Sequence, residues 1–193
     1  MSNHGNEEDR MLIVRAKGGD SQAYESLVRK YQKSIYYLCH RMTGAHQSAD
    51  DLSQETFVKA YFSLPKFKEE MNFFTWIRKI AVNSTLNYLK VRKREKPLVE
   101  NHDFSSHNPG SQSSEMPQER LERIHMVKKF KQALDLLPAD QRAIFVLRVF
   151  EHQSYKDIAQ ILNIPEGTVM SRLSRARQKL RQEMAEYVEG GWQ

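Results

Sequence analysis

The sequence predicts an all-α fold of two small helical domains joined by a flexible linker. Three observations carry this expectation. Apolar residues recur at helical spacing along most of the chain, and no segment alternates as a strand would. Glycines and prolines stand where helices should stop or start. Residues 96–118 change character to a run rich in Ser, Asn, Pro and Gly, with few residues able to build a core. The chain has 193 residues, enough for two domains with modest cores. The expected division is 1–95, a linker at 96–118, and 119–193.

In chain order, a first short helix is expected from about Asp9 to Lys17, ending at Gly18-Gly19. A second starts near Asp20, with Tyr24, Leu27, Val28, Tyr31, Ile35, Leu38 and Met42 at helical spacing, and stops at Gly44. A third opens at Ser48, with Asp51 three residues on as a variant capping box, and ends before Pro65. A loop from Lys66 to Met71 follows, and Asn72 caps a fourth helix, FFTWIRKIAVNSTLNYLKVRKRE. After the linker a fifth covers about Gln118 to Leu136. Pro138-Ala139-Asp140 starts a sixth, running through Phe150. Ser154 caps a short seventh, with Asp157 completing a capping box. The turn Asn163-Ile164-Pro165 leads into a last helix from about Glu166 to Val188, ended by Gly190-Gly191.

The formal net charge is +6 and the pI about 9.4, which favours a polyanionic partner such as nucleic acid. The one cysteine, Cys39, cannot form an internal disulfide or a cysteine metal cluster, and it reads as a small core hydrophobe. The polar N-terminal stretch MSNHGNEEDR carries no secretion signal, and no run reaches the ~18–20 apolar residues of a membrane span. A cytoplasmic protein without membrane insertion is the expectation. No cofactor or metal site is evident, because the seven histidines are scattered, with His102 and His107 in the linker.

The most informative segment is SYKDIAQILNIPEGTVMSRLSRARQKL. A short helix, a tight turn and a longer basic helix form the layout of a DNA-reading helix-turn-helix. Ala159 is small where the two helices cross. Asn163 stands where the turn needs a left-handed residue, and Pro165 keeps the short helix from continuing. The long helix carries two stripes. Val169, Leu173, Ala176 and Leu180 share a face that should pack on the domain. Thr168, Arg172, Arg175 and Lys179 share a neighbouring one, with Ser171 at its edge. The N-terminal part of such a helix enters the groove, so Glu166, Thr168, Ser171, Arg172 and Arg175 are candidates for base and nearby backbone contacts. The arginines can reach guanine edges or phosphates. Lys179 and Arg181 lie further out, toward phosphate or solvent.

This run resembles the −35-reading domain of extracytoplasmic-function sigma factors, whose pattern is "GIP.GTV.SRL.RAR..L". The lead-in LPADQRAIFVLRVFEHQSYKDIA is similar as well. Asn163 replaces the usual glycine and Met170 a frequent basic residue. The first half resembles the same family's N-terminal domain through ADDLSQETFVKAYFSLPKF and FFTWIRKIAVNSTLNYLKVRKR. The resemblance implies a protein without catalytic activity that binds bacterial core RNA polymerase, directs it to promoters and has an anti-sigma partner.

Asp50, Asp51 and Glu55, with Gln54 beside them, form an acidic patch that suits a positively charged protein partner. The other reading is helix N-terminal acids favoured by the dipole. The resemblance implies the clamp helices of the polymerase's largest subunit. The fourth helix mixes Arg78, Lys79, Asn83, Asn87, Lys90, Arg92, Lys93 and Arg94 with Phe73, Phe74, Trp76 and Tyr88, a combination that suits partly single-stranded −10 DNA. Lys66 and Asn72 bound the loop where the family captures a flipped promoter base. Trp76, Ile77 and Ile80 read as core rather than as base platforms. Asn87 and Lys90 depart from the family's common Asp and Arg. Two other functions fit parts of the pattern: a stand-alone helix-turn-helix regulator, and a metal-dependent nuclease using Asp50, Asp51 and Glu55. The nuclease would need convergent ligands and an open coordination position.

Overall fold

The computed structural model describes residues 4–68, 71–95 and 117–188. Among them every regular element is helical. The chain divides into two compact units, residues 1–95 and 96–193. Most of the expected linker, with His102 and His107, lies outside the described residues.

Unit 1 contains α1 (His4–Lys17), α2 (Ser21–Thr43), α3 (His46–Ser63), a 3-10 turn (Leu64–Lys66) and α4 (Phe73–Glu95). Helices α2, α3 and α4 pack on one another, and α1 lies on α2. The core is built by helical stripes: Leu27, Ile35, Leu38 and Met42 of α2, Ala49, Leu52, Phe57 and Ala60 of α3, and Phe73, Ile77, Ala81 and Val82 of α4. Each fully buried Leu or Ile side chain contributes about 1.5–3 kcal/mol. Tyr24, Val28 and Tyr31, expected on the α2 stripe, flank it half-buried. Cys39 is fully buried, as expected, and receives the Thr85 hydroxyl at 3.6 Å.

Local signals fix most boundaries. The Asp20 carboxylate accepts the Gln22 and Ala23 amides at 3.0 and 3.1 Å, serving donors that the start of α2 leaves open. Gly44 closes α2 at φ 74, a conformation that favours glycine. The Asn72 side chain accepts the Thr75 amide at 3.0 Å and caps α4. The expected start of α3 is corrected: the helix opens at His46, after an extended Ala45 with no side-chain cap. Ser48 sits inside the first turn, and its hydroxyl pairs with that of Tyr88 on α4 at 2.8 Å. A tertiary partner has taken the side chain that the local pattern assigned to a cap.

Unit 2 contains α5 (Pro117–Asp135), α6 (Ala139–Val149), α7 (Tyr155–Leu162), α8 (Glu166–Glu183) and α9 (Ala185–Val188). Its core joins Leu134 and Leu137 with Ile144, Val146 and Leu147, Ile158 and Ile161, and the α8 stripe. Arg142 is buried and ties α6 to the end of α5, donating to the Asp135 carboxylate at 2.8 Å and to its carbonyl at 2.5 Å. Ser154 and Asp157 form the expected capping box. The last helix departs from expectation: it breaks at Met184 (φ −105, ψ 12) before α9. Its buried stripe ends at Leu180, and Met184 and Tyr187 beyond it are only half-buried. Burial therefore enforces the α-helical register less strongly there. Gly190 and Gly191 lie outside the described residues.

Candidate nucleic-acid interface

The α7–α8 pair builds the unit 2 site. Asn163 is left-handed (φ 54, ψ 51), and the Asn163 and Ile164 amides both donate to the Ala159 carbonyl. The chain therefore turns sharply before Pro165 and α8. Val169, Leu173, Ala176 and Leu180 are all buried, which rotates the neighbouring stripe outward. Glu166, Ser171, Arg175 and Lys179 are exposed, and Thr168 and Arg172 half-exposed. A side chain at Gly167 would meet nothing within 4 Å, so the leading end of α8 is open. Two ion pairs on this face go beyond the sequence reading. Arg172 reaches Asp140 of α6 at 3.2 Å. Lys179 pairs with Glu183 at 2.7 Å, and that ammonium holds the Glu183 carboxyl below its usual range. The Ser171 hydroxyl donates to the Thr168 carbonyl at 3.1 Å, which leaves its oxygen as an acceptor.

In unit 1 the mixed aromatic and basic pattern of α4 sorts into two sides. Lys79, Asn83, Asn87 and Lys90 are exposed and, spaced four, four and three apart, form one continuous polar stripe. The aromatics turn inward or lie half-buried. Phe73 is 1% exposed, Trp76 packs on Phe67 and Phe73, and Phe74 stacks on Tyr31 at 4.9 Å. Arg78 corrects the sequence reading. It is 5% exposed, with its guanidinium 4.2 Å from the centre of the Phe74 ring, so it is no surface cation for DNA. Position 78 shares its helix face with the buried Ala81, Val82 and Thr85. Arg92 is half-buried and donates to the Tyr88 hydroxyl at 3.4 Å. Lys66 and Asn72 are exposed at either end of their loop, and the side chains of Lys93 and Arg94 lie outside the described residues. A residue that the sequence reading missed joins this face. Lys59 of α3 donates to Ser84 of α4 at 3.0 Å.

The acidic patch stands on the exposed side of α3. Asp50, Asp51, Gln54 and Glu55 are all exposed. Gln47 donates to Asp51 at 3.2 Å, and Lys59 pairs with Glu55 at 2.5 Å. Asp50 and Gln54 border an open cleft of about 610 Å³, also lined by Gln32, Lys33, Tyr36 and Tyr37 of α2. Burial and, behind it, the Asp50 charge raise the Tyr36 hydroxyl above its usual range. The aromatic side of this cleft was legible only as two tyrosines off the buried stripe of α2. Among the described residues no group of three or more His, Cys, Asp or Glu is placed to hold a metal ion. No described helix is long and apolar enough to cross a membrane.

Comparison with known proteins matches both units. Residues 27–95 match the family described as Sigma-70 region 2, and residues 128–180 match Sigma-70, region 4. The RNA polymerase sigma-H factor of Pseudomonas aeruginosa is 36% identical over 178 residues, covering 90% of this chain and 92% of its own. The ECF RNA polymerase sigma-E factor of Haemophilus influenzae is 36% identical over 181 residues, covering 89% and 93%. Among solved structures, the sigma factor RpoE of Bartonella quintana, crystallised with the anti-sigma factor NepR, superposes with a TM-score of 0.65 at 26% identity, covering 84% of this chain and 96% of that one. The chain belongs to the extracytoplasmic-function group of the sigma-70 family: it is a non-enzymatic RNA polymerase sigma factor that directs promoter-specific transcription initiation.

Proposed function

We propose that the three exposed surfaces divide the work of initiation. The acidic face of α3, with Asp50, Asp51, Gln54 and Glu55, docks on a basic surface of core RNA polymerase. The α4 stripe of Lys79, Asn83, Asn87 and Lys90, with Lys66, Asn72, Arg92 and Arg94, engages the −10 element. Glu166, Thr168, Ser171, Arg172, Arg175 and Lys179 of α8 engage the −35 duplex. Residues 1–95 then act as the polymerase and −10 unit, 119–193 as the −35 unit, and 96–118 as the connection between them. The observation that carries this reading is the sorting of charge. A basic protein reserves one exposed helix face for carboxylates, which suits a cationic protein partner, and sets its cations and amides on α4 and α8, which suits nucleic acid.

Because the Bartonella relative is seen with an anti-sigma factor, we also assign this chain an anti-sigma partner, with the cytoplasm as the place of action. Run-off transcription with bacterial core polymerase on a genomic fragment pool tests the reading and reports the promoter. Discrete start sites preceded by a shared −35/−10 pair are expected. Co-elution with core polymerase without such start sites, or no co-elution, overturns it.

A further inference from the structure

We propose that Lys17, in the last turn of α1, is a positioning residue for −10 base selection, acting by holding the backbone where the chain enters the loop that ends at Asn72. The inference rests on reading that loop as part of the −10 site. The Lys17 ammonium donates to the Phe67 carbonyl at 2.8 Å, across 50 positions of sequence, and stands 6.0 Å from the centre of the Phe67 ring. Phe67 itself is fixed. Its ring is buried against Trp76 at 4.9 Å and Phe73 at 5.8 Å, and its amide donates to Leu64 at 3.0 Å. With ring, amide and carbonyl all held, the backbone at Phe67 (φ −66, ψ 130) aims the exposed Lys68 that follows. Glu69 and Glu70 lie outside the described residues.

Capping does not account for this reach. A lysine near a helix C-terminus is favoured by the dipole wherever it points. The end of α1 is already closed by backbone bonds from Gly18 to Val14 and from Asp20 to Arg15. The same helix also reaches the far end of the loop. Asp9 of α1 is 3% exposed, pairs with Lys30 at 2.7 Å and accepts from the Tyr31 hydroxyl, and Tyr31 stacks on Phe74 in the first turn of α4. Helix α1 thus brackets the loop, directly at Phe67 and through Tyr31 just beyond Asn72. These contacts on either side of the loop keep Lys68 and Asn72 within the narrow tolerance that base discrimination needs.

The test uses the full-length chain with core polymerase on a promoter pool randomised at the −10 bases. Lys17→Met keeps the stem and removes the donor; Lys17→Arg restores a charged donor. Lys17→Met should flatten base preference at one or more −10 positions about five- to tenfold, leaving core affinity and −35 duplex binding unchanged, and Lys17→Arg should recover most of the preference. Should Lys17→Met melt below the assay temperature, Lys17→Leu, which also lacks a donor, is read in the same way. A wild-type base profile in the Lys17 variants, with an altered profile in Lys68→Ala or Asn72→Ala, overturns the inference and leaves the loop reading standing. An unaltered profile in all of them overturns the loop reading itself. An equal loss on every promoter, not recovered by arginine, makes Lys17 merely structural and also overturns the inference.

Discussion

Cys39 shows what one side chain gains from its setting. Burial pushes its thiol up to about 11, and the thiolate is the reactive form. At pH 8 only about one molecule in a thousand would carry it, by the gap between pH and pKa. Disulfide-exchange reagents should therefore modify the native protein orders of magnitude more slowly than the denatured one, and fast native labelling would contradict the burial. At the DNA face, Arg172→Ala and Arg175→Ala should each reduce −35 discrimination, because a bidentate guanine contact is worth about 1–3 kcal/mol. Lys179→Ala should instead weaken binding evenly across sequences with a shallower salt slope. Binding assays on matched and mismatched duplexes separate the two patterns. Residue roles were legible in the sequence where the partner is close in the chain, as for Asp20, Asn72 and Ser154. They were hidden where the partner comes from another helix, as for Ser48 at Tyr88 and Arg172 at Asp140.

At the scale of elements, the α7–α8 turn is the most constrained piece of backbone. Asn163 occupies the left-handed region, which costs an ordinary residue roughly 1–2 kcal/mol. Asn163→Gly should leave the melting temperature of residues 119–193 unchanged or higher. Asn163→Val should lower it by the equivalent of that cost, and calorimetry on the two variants reads the difference. Ile158, Ile161, Val169 and Leu173 hold the two helices together on the core, so the turn sets the direction in which α8 leaves the domain. The sequence made the existence and order of the helices clear, because 3.6-residue periodicity and caps are local signals. It misplaced the start of α3 and ran α8 through Met184. At those ends no cap side chain marks the boundary, and packing decides.

For the whole molecule, charge is divided unevenly. Residues 1–95 hold sixteen Lys and Arg against eleven Asp and Glu, and residues 96–193 hold fourteen against thirteen. Excess positive charge thus belongs mainly to the half that also bears the acidic α3 face. Asp51→Lys with Glu55→Lys should abolish core polymerase binding, since like charges facing each other at an interface can cost several kcal/mol. Because α8 belongs to the other unit, −35 duplex binding should match that of isolated residues 119–193. Circular dichroism should show little change in helix content, as both carboxylates are exposed. A folded variant with full promoter-specific transcription would remove this face from polymerase docking. The family was legible from motifs in both halves, whereas the cleft beside Asp50 was not, because Tyr36 and Tyr37 acquire meaning only when α2 lies along α3.

The contact between Arg172 and Asp140 bears on how quickly a promoter is found. An arginine already seated on a carboxylate gives up a partner whenever it turns to DNA. If Arg172 reads the −35 duplex as proposed, each base pair is weighed against Asp140 as well as against water. On the proposed −35 role of Arg172, a guanine edge offering two acceptors would outcompete this part-exposed ion pair, which is worth at most about 1 kcal/mol. Under that proposal Asp140 would trade a little affinity for speed of search.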